Sequence, residues 1–333
     1  MKKALITGIA GQDGSYLAEL LLAKGYEVHG IVRRIAIEDT EHKLKNLRYI
    51  LDRLHLHVAS LDNVLSMIKI VKDLLPDECY HLAASSFVSY TFEDEISILN
   101  NNVNSTHYLL AAIREFAPHC RVYFAGTSEM FGNVDHSPQD ENTPFNPRSI
   151  YGISKVASYY LVKNYRQQYG MFACSGILYN HESPRRGYEF VTRKIVSSAV
   201  KIKLGLQDTL ILGNLDAYRD WGYAPDYVRA MWLMLQADQP DDYVVASGET
   251  HTVREFVAAV FSKLGLCYEK HVNVDPSFFR PAEKVRLCGN PAKAVERLGW
   301  QRTKSFQGLV DEMVVSELNL YNAATGMKMG NNE

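Results

Sequence analysis

The sequence predicts a doubly wound α/β fold, a parallel sheet covered by helices on both faces, with a smaller mixed α/β unit attached. Two observations carry this: short apolar strands alternate with amphipathic helices through the first half, and a glycine-rich turn follows the first strand directly. A third limits the class. The longest unbroken apolar runs are six residues, such as Tyr108 to Ile113, far short of the roughly 20 that span a bilayer.

In chain order, strands are expected at Ala4–Thr7, Glu27–Val32, Leu56–Ala59, Cys79–Ala83, Arg121–Ala125 and Ala173–Leu178. Between them, apolar residues recurring at three and four predict helices at about Ser15–Lys24, Asn63–Leu75, Glu95–Phe116 and Ile150–Tyr169. After Tyr179 the rhythm loosens: Pro184 and Arg185-Arg186-Gly187 precede a helix at about Val191–Leu204. Further helices at Ala224–Ala237 and Val253–Gly265 flank a Val244–Ala246 strand. The division predicted is residues 1–178 with about 215–245 in the sheet unit, and about 179–214 with 246–333 in an interleaved substrate-binding unit. The tail from Met329 to Glu333 is expected to fray.

Composition excludes several functions. With 36 Lys and Arg against 38 Asp and Glu, a net charge of −2 supplies no general field for a nucleic acid, so any bound anion must be held by local groups. Gly8, Gly11, Gln12 and Asp13 interrupt the apolar start before a signal-peptide core could form, which predicts a cytoplasmic chain. The five cysteines are odd in number, widely spaced and without a CxxC pair; buried reduced thiols are expected, and no metal set.

The turn Gly8-Ile9-Ala10-Gly11-Gln12-Asp13-Gly14 leads from a strand into a helix N-terminus, where free N–H groups and the helix dipole favour a pyrophosphate. Its GxxGxxG spacing resembles the short-chain dehydrogenase/reductase superfamily. At the end of the second strand stand Arg33 and Arg34 instead of an acid, which suits the 2′-phosphate of NADP. Ser60-Leu61 follows the third strand where that superfamily usually carries an aspartate.

Tyr151 and Lys155 are four apart at the start of a helix, so an ammonium can stabilise a phenolate that acts as a base. With 20 tyrosines and 18 lysines in 333 residues, chance gives about one such pair, and Tyr159 with Lys163 is a second. Position favours Tyr151, which follows the turn Asn146-Pro147-Arg148-Ser149 near the sheet's carboxyl edge; Tyr159 lies about 12 Å further along the helix. Gly126-Thr127-Ser128-Glu129 follows the fifth strand at the same edge, and a carboxylate there can remove a proton alpha to a ketone.

Longer strings make the resemblance specific. Gly11-Gln12-Asp13-Gly14-Ser15-Tyr16-Leu17, Tyr151-Gly152-Ile153-Ser154-Lys155, Asn180-His181-Glu182-Ser183-Pro184-Arg185-Arg186-Gly187, Leu212-Gly213-Asn214-Leu215-Asp216, Arg219-Asp220-Trp221-Gly222 and Phe279-Arg280-Pro281-Ala282-Glu283 resemble the GDP-mannose 4,6-dehydratase family along nearly the whole chain. The resemblance implies an NADP-dependent hydro-lyase acting on a GDP-linked sugar, assembled as a dimer or tetramer. It makes Thr127, Glu129, Tyr151 and Lys155 the catalytic set. Tyr151 would take the proton from the sugar's 4-hydroxyl, Glu129 the proton on carbon 5, and water would leave from carbon 6. The cofactor would contact the glycine turn with Gln12 and Asp13, the arginines Arg33 and Arg34, then Leu61, Leu82 and Ala83, besides Tyr151, Lys155, His181 and Arg186. For the substrate it implies Ser85, Asn180, Arg185, Val191 and Lys194, with Gly213, Arg219, Arg280 and Glu283 beyond them.

The chain departs from the family at Ala83-Ala84-Ser85-Ser86-Phe87-Val88, at Ile35-Ala36-Ile37-Glu38-Asp39, and at Tyr218, Tyr223 and Pro225. The same Tyr-Lys pair also serves GDP-sugar dehydrogenases, reductases and epimerases, and a GDP-heptose is an alternative substrate; Glu129 argues for elimination. A non-catalytic cofactor sensor would have no need of the four catalytic groups together.

Overall fold

The structure is a computed structural model that describes residues 1–84, 92–278 and 285–325. The first half runs β1 (Lys3–Thr7), α1 (Gln12–Ala23), β2 (Glu27–Val32), two short helices α2 (Arg34–Glu38) and α3 (Thr40–Lys43), β3 (His55–Val58), α4 (Val64–Leu74), β4 (Glu78–His81), α5 (Phe92–Phe116), β5 (Arg121–Thr127), α6 (Ile150–Tyr169) and β6 (Ala173–Leu178). The second half runs β7 (Asn180–Glu182), α7 (Val191–Lys203), β8 (Leu210–Leu212), β9 (Tyr218–Arg219), β10 (Trp221–Tyr223), α8 (Ala224–Gln236), β11 (Tyr243–Val245), β12 (His251–Thr252), α9 (Val253–Lys263), β13 (Val272–Val274), α10 (Ala292–Leu298) and α11 (Phe306–Thr325).

Seven strands form one parallel sheet in the order β11-β6-β5-β4-β1-β2-β3. The order reverses between β1 and β4, the switch point where the crevice above a parallel sheet opens. The alternation of inward residues gives each face its own core. Leu5, Ile31, Cys79, Val122 and Phe124 pack under α4, α5 and α6 through Val71, Ile113 and Val162. On the other face Ile6, Val28, Tyr80 and Tyr123 pack under α1 and α8 through Leu17, Leu21, Met231 and Met234. Burying each such side chain contributes about 1.5–3 kcal/mol, so both faces are firmly covered.

A third core joins α7, α9 and α11 through Ile195, Val196, Phe256, Val260, Leu309 and Met313, with Trp221 beneath. Inside it the buried guanidinium of Arg193 pairs with the buried carboxylate of Glu317, since an unpaired charge at that depth would cost several kcal/mol. This unit is threaded into the sheet unit: β7 pairs with β10, while β11 returns to the main sheet beside β6.

Three expectations are corrected. No helix was expected beyond Gly265, yet α10 and α11 lie there, and Ala294 with Trp300 joins the α8 side of the main sheet. Helix α1 starts at Gln12 rather than Ser15, so Gln12, Asp13 and Gly14 belong to its first turn. Cys79, Cys120 and Cys174 are buried and all five thiols are free, but Cys267 is exposed, because it lies in the loop beyond α9 and not in a strand.

Candidate active site

Helix α1 opens at the switch point with Gly11 as its N-cap and no side chain capping it, leaving the first-turn N–H groups to another acceptor. The turn is closed by the Gly11 N–H donating to the Gly8 carbonyl at 3.0 Å. A Cβ on Gly14 would stand 2.3 Å from that carbonyl, so only glycine lets helix and turn pack this closely. The donor set and the open helix terminus fit a pyrophosphate.

Gln12 and Asp13 tie this turn to the segment after β6. The Gln12 amide donates to the His181 carbonyl (3.1 Å) and accepts from the Ser183 hydroxyl (2.8 Å), while Asp13 Oδ2 meets His181 Nε2 at 2.8 Å. His181 Nδ1 rests on the Tyr179 carbonyl at 2.7 Å and its ring stacks on Tyr227 at 4.5 Å. Burial works against both charges, but their mutual attraction prevails: the Asp13 carboxyl is held below its ordinary range and His181 above its own. Arg186, 3.3 Å from Glu182 and stacked on Phe190, adds a positive charge that reaches Asp13, His181 and Tyr151.

The four groups expected to react converge from β5 and α6. Thr127 ends β5 and caps the turn Ser128–Met130, its Oγ1 accepting from the Glu129 N–H at 3.3 Å. That turn brings the carboxylate beside the hydroxyl. Ser149 caps α6 through the Gly152 N–H (3.1 Å), and a Cβ on Gly152 would lie 2.8 Å from the Glu129 carbonyl. Glycine at 152 therefore lets the first turn of α6 settle onto the Glu129 turn. Burial first, then the charge of Glu129, raises the Tyr151 phenol well above its ordinary range, and the nearby Thr127 hydroxyl works the other way. Lys155 is buried, donates to the Ala125 carbonyl at 2.8 Å, and burial pulls its ammonium down to about 7. Its Nζ stands over the Tyr151 ring, 5.8 Å from the ring centre.

A family model described as GDP-mannose 4,6 dehydratase matches residues 5–313. The chain belongs to the GDP-mannose 4,6-dehydratase family. It is 49% identical over 329 residues to GDP-mannose 4,6 dehydratase 2 of Arabidopsis thaliana, covering 96% of this chain and 87% of that protein. GDP-mannose 4,6-dehydratase of Yersinia enterocolitica is 45% identical over 350 residues, covering 96% and 94%. Among solved structures, the Thermus thermophilus UDP-glucose 4-epimerase complex with NAD superposes with a TM-score of 0.80 at 27% identity, covering 95% of this chain and 98% of that one.

The remaining expected positions of this dehydratase family member fall into three groups. Arg33 and Arg34 are exposed where β2 ends, and neither makes an ion pair among the described residues. Leu82 and Ala83 follow β4 beside the glycine turn, the Ala83 N–H donating to Thr7 Oγ1 at 3.1 Å, whereas Leu61 packs against the α4-side core. On the substrate side, Asn180 opens β7, Val191 opens α7, Lys194 donates to the Ile211 carbonyl (2.8 Å), Gly213 lies against the Phe278 backbone and Arg219 pairs across to β12. Arg185 is turned elsewhere: it holds Glu19 at 2.6 Å and Ser15 at 3.0 Å and stacks on Tyr16, pinning its loop to α1. Ser85, Phe87, Arg280, Glu283 and the tail from Met329 lie outside the described residues.

Sequence reading missed two supports of the site. His81, held neutral by burial that lowers it to about 3, bridges Thr7 (2.9 Å) and Thr106 (3.1 Å). Asn102 reaches Ser154 at 3.0 Å, fixing α6 against α5 next to Tyr151 and Lys155. Small polar residues in the apolar stripes of α5 and α6 were the available signal. Buried Asp220 accepts from the N–H groups of Ser247, Gly248 and Gly289, anchoring the loop beside Arg219.

Proposed function

We propose that the protein is an NADP-dependent GDP-mannose 4,6-dehydratase, a hydro-lyase that forms GDP-4-keto-6-deoxymannose. The observation that carries this reading is the Glu129 turn, capped by Thr127, brought against the first turn of α6 so that the Glu129 charge acts on the Tyr151 phenol at the carboxyl edge of a doubly wound sheet. An enzyme that only oxidises needs the phenol; one that eliminates needs a carboxylate next to it. Near-full-length identity of 45–49% to two named dehydratases, against 27% to an epimerase, supports the same choice.

When bound, the nicotinamide supplies a hydride acceptor for carbon 4 and a donor back to carbon 6. Tyr151 takes the 4-hydroxyl proton, for which its own proton must first leave; Lys155 and Arg186 are the cations placed to favour the phenolate. Thr127 holds the reacting oxygen. The 4-ketone acidifies carbon 5; Glu129 removes that proton and passes it to the carbon 6 hydroxyl, which leaves as water, and carbon 5 takes a proton back as hydride returns to carbon 6. Asp13 and His181 keep the glycine turn registered against the segment carrying Arg186. Arg219, Arg280 and Arg185 are the cations of the substrate side, with Asn180 and Glu283 orienting; Arg185 would have to leave Glu19 to reach a diphosphate.

Arg33 and Arg34 support NADP over NAD, and Arg33→Ala should weaken NADP binding about tenfold or more while leaving NAD unchanged. Equal affinity for both cofactors in the wild-type protein removes the NADP assignment. The two faces of α5 and α6 support a homodimer at least, since Ile96, Leu99, Ile153 and Tyr160 are exposed there; light scattering of a monomer at micromolar concentration refutes it. The deciding experiment is incubation with NADP and GDP-mannose, with the product weighed by mass spectrometry. Loss of one water supports the reading, and a product lighter by two hydrogens makes the protein a dehydrogenase.

A further inference from the structure

At the amino end of the main sheet, opposite the edge that carries the reacting groups, four ligand-type side chains meet on one face. Glu27 and His29 are two apart on β2, and His55 and His57 are two apart on β3, so each pair projects to the same side. The parallel register sets His29 opposite His55. The donor atoms of Glu27, His29 and His55 all lie within 4.8 Å of one another. His29 is buried, Glu27 half-buried and His55 exposed, and β3 is the sheet's edge strand, so the cluster opens to solvent on its outer side.

The contacts around His29 favour an ion. Its Nε2 faces Glu27 Oε1 at 2.8 Å while its Nδ1 faces His57 Nε2 at 2.9 Å. If Nδ1 keeps the proton and donates to His57, Nε2 presents its lone pair on the side where Glu27 and His55 stand, which is how a metal-binding imidazole is usually oriented. The His29 and His55 rings stack at 4.7 Å. Four-coordinate zinc, with ligand bonds of about 2.0–2.2 Å, needs donors roughly 3.3 Å apart. The exposed His55 ring can close that gap by rotating about its side-chain bonds. Two imidazoles and a carboxylate suit a first-row divalent cation, with water completing the coordination.

We propose that Glu27, His29 and His55 form a binding site for a zinc-class divalent cation, with His57 positioning His29. The site ties the four-residue edge strand β3 to β2 and acts on stability, away from the sugar chemistry. Because the ligands come from two strands, no spacing along the chain announces them.

The test is titration of the metal-free full-length chain with zinc by calorimetry, alongside thermal melting with and without the metal. One saturable equivalent is expected, with a rise in Tm, and cobalt in its place should give visible d–d absorption. His55→Ala and Glu27→Gln change exposed or half-exposed groups and should each weaken binding about tenfold or more, abolishing most of the Tm rise. Cys267→Ser, which removes the exposed thiol beside Glu269, should change neither. Absence of saturable binding in the wild type, unchanged affinity in either ligand variant, or loss of binding in Cys267→Ser overturns the proposal.

Discussion

Helix α6 carries the same Tyr-x-x-x-Lys spacing twice, and the two copies have different surroundings. Tyr151 lies in the first turn, against Thr127 and Glu129, where the sheet's carboxyl edge opens. Tyr159 lies two turns on, packed edge-on against Phe145 at 5.0 Å, with the charge of Asp242 acting on its phenol. Asp242 is already satisfied by two bonds from Arg166, at 2.9 and 2.6 Å, and by the Ser175 N–H at 2.9 Å. Each tyrosine thus has a carboxylate neighbour, but one carboxylate is spent on structure and the other faces the crevice. The motif is a spacing, and the two copies differ in their distance from the sheet edge.

The largest test of this contrast exchanges each phenol for phenyl. Tyr151→Phe should lower kcat by about 10²–10⁴-fold with little change in Tm. Tyr159→Phe should keep turnover within a few-fold and change stability by no more than about 1 kcal/mol, since the ring packing against Phe145 is kept. A folded Tyr159→Phe protein without activity, beside an active Tyr151→Phe, would invert the comparison.

The carboxylates give the next contrast. Glu129→Gln keeps shape but cannot accept a proton, so GDP-mannose should become lighter by two hydrogens without losing water, and solvent deuterium should not enter carbon 5. Full dehydration by that variant would reduce Glu129 to an orienting role. Asp242→Asn, at the downstream pair, should instead lower stability by about 3 kcal/mol, since it strands the Arg166 guanidinium with only 15% of its side chain exposed. Its kcat, measured below the lowered Tm, should stay near the wild-type value.

What could be read along the chain divides along the same physical line. Elements bounded by clear turn or cap residues, such as β2 after Gly25 and α6 between Ser149 and Gly170, match their expected bounds from end to end. Helix α11 has the required stripe in Leu309, Val310, Met313 and Val314, but Glu317 falls within it and breaks the pattern; only the fold reveals that Arg193, far away in sequence, pairs with it. Thr127, Glu129, Tyr151 and Lys155 could be placed because each sits at the end of a strand or start of a helix whose position was already readable. The Arg185–Glu19 ion pair and the Glu27–His29–His55 cluster could not. The first depends on how α1 packs against the loop after β7, and the second on the register between β2 and β3. Neither is a local property of sequence.

The smallest expected effect separates the two lysines. Lys155 has its ammonium pulled from an ordinary 10.5 down to about 7 by burial, so between those values the unfolded chain holds more protons than the folded one. Folding stability of the cofactor-free protein should therefore rise with pH from about 7 towards 10.5, and the whole cost of burying the charge should be felt below about 7. Lys155→Met removes that cost and should raise stability at pH 7 by roughly 1–2 kcal/mol, offset in part by loss of the bond to the Ala125 carbonyl. The same variant should flatten the pH dependence of Tm and lose activity. Lys163 is half-buried near the surface of α6, and Lys163→Met should shift stability by no more than about 0.5 kcal/mol in either direction. Equal pH slopes for wild-type and Lys155→Met proteins would show that Lys155 stays charged in the folded chain, and the ammonium would then be available to Tyr151 before any cofactor binds.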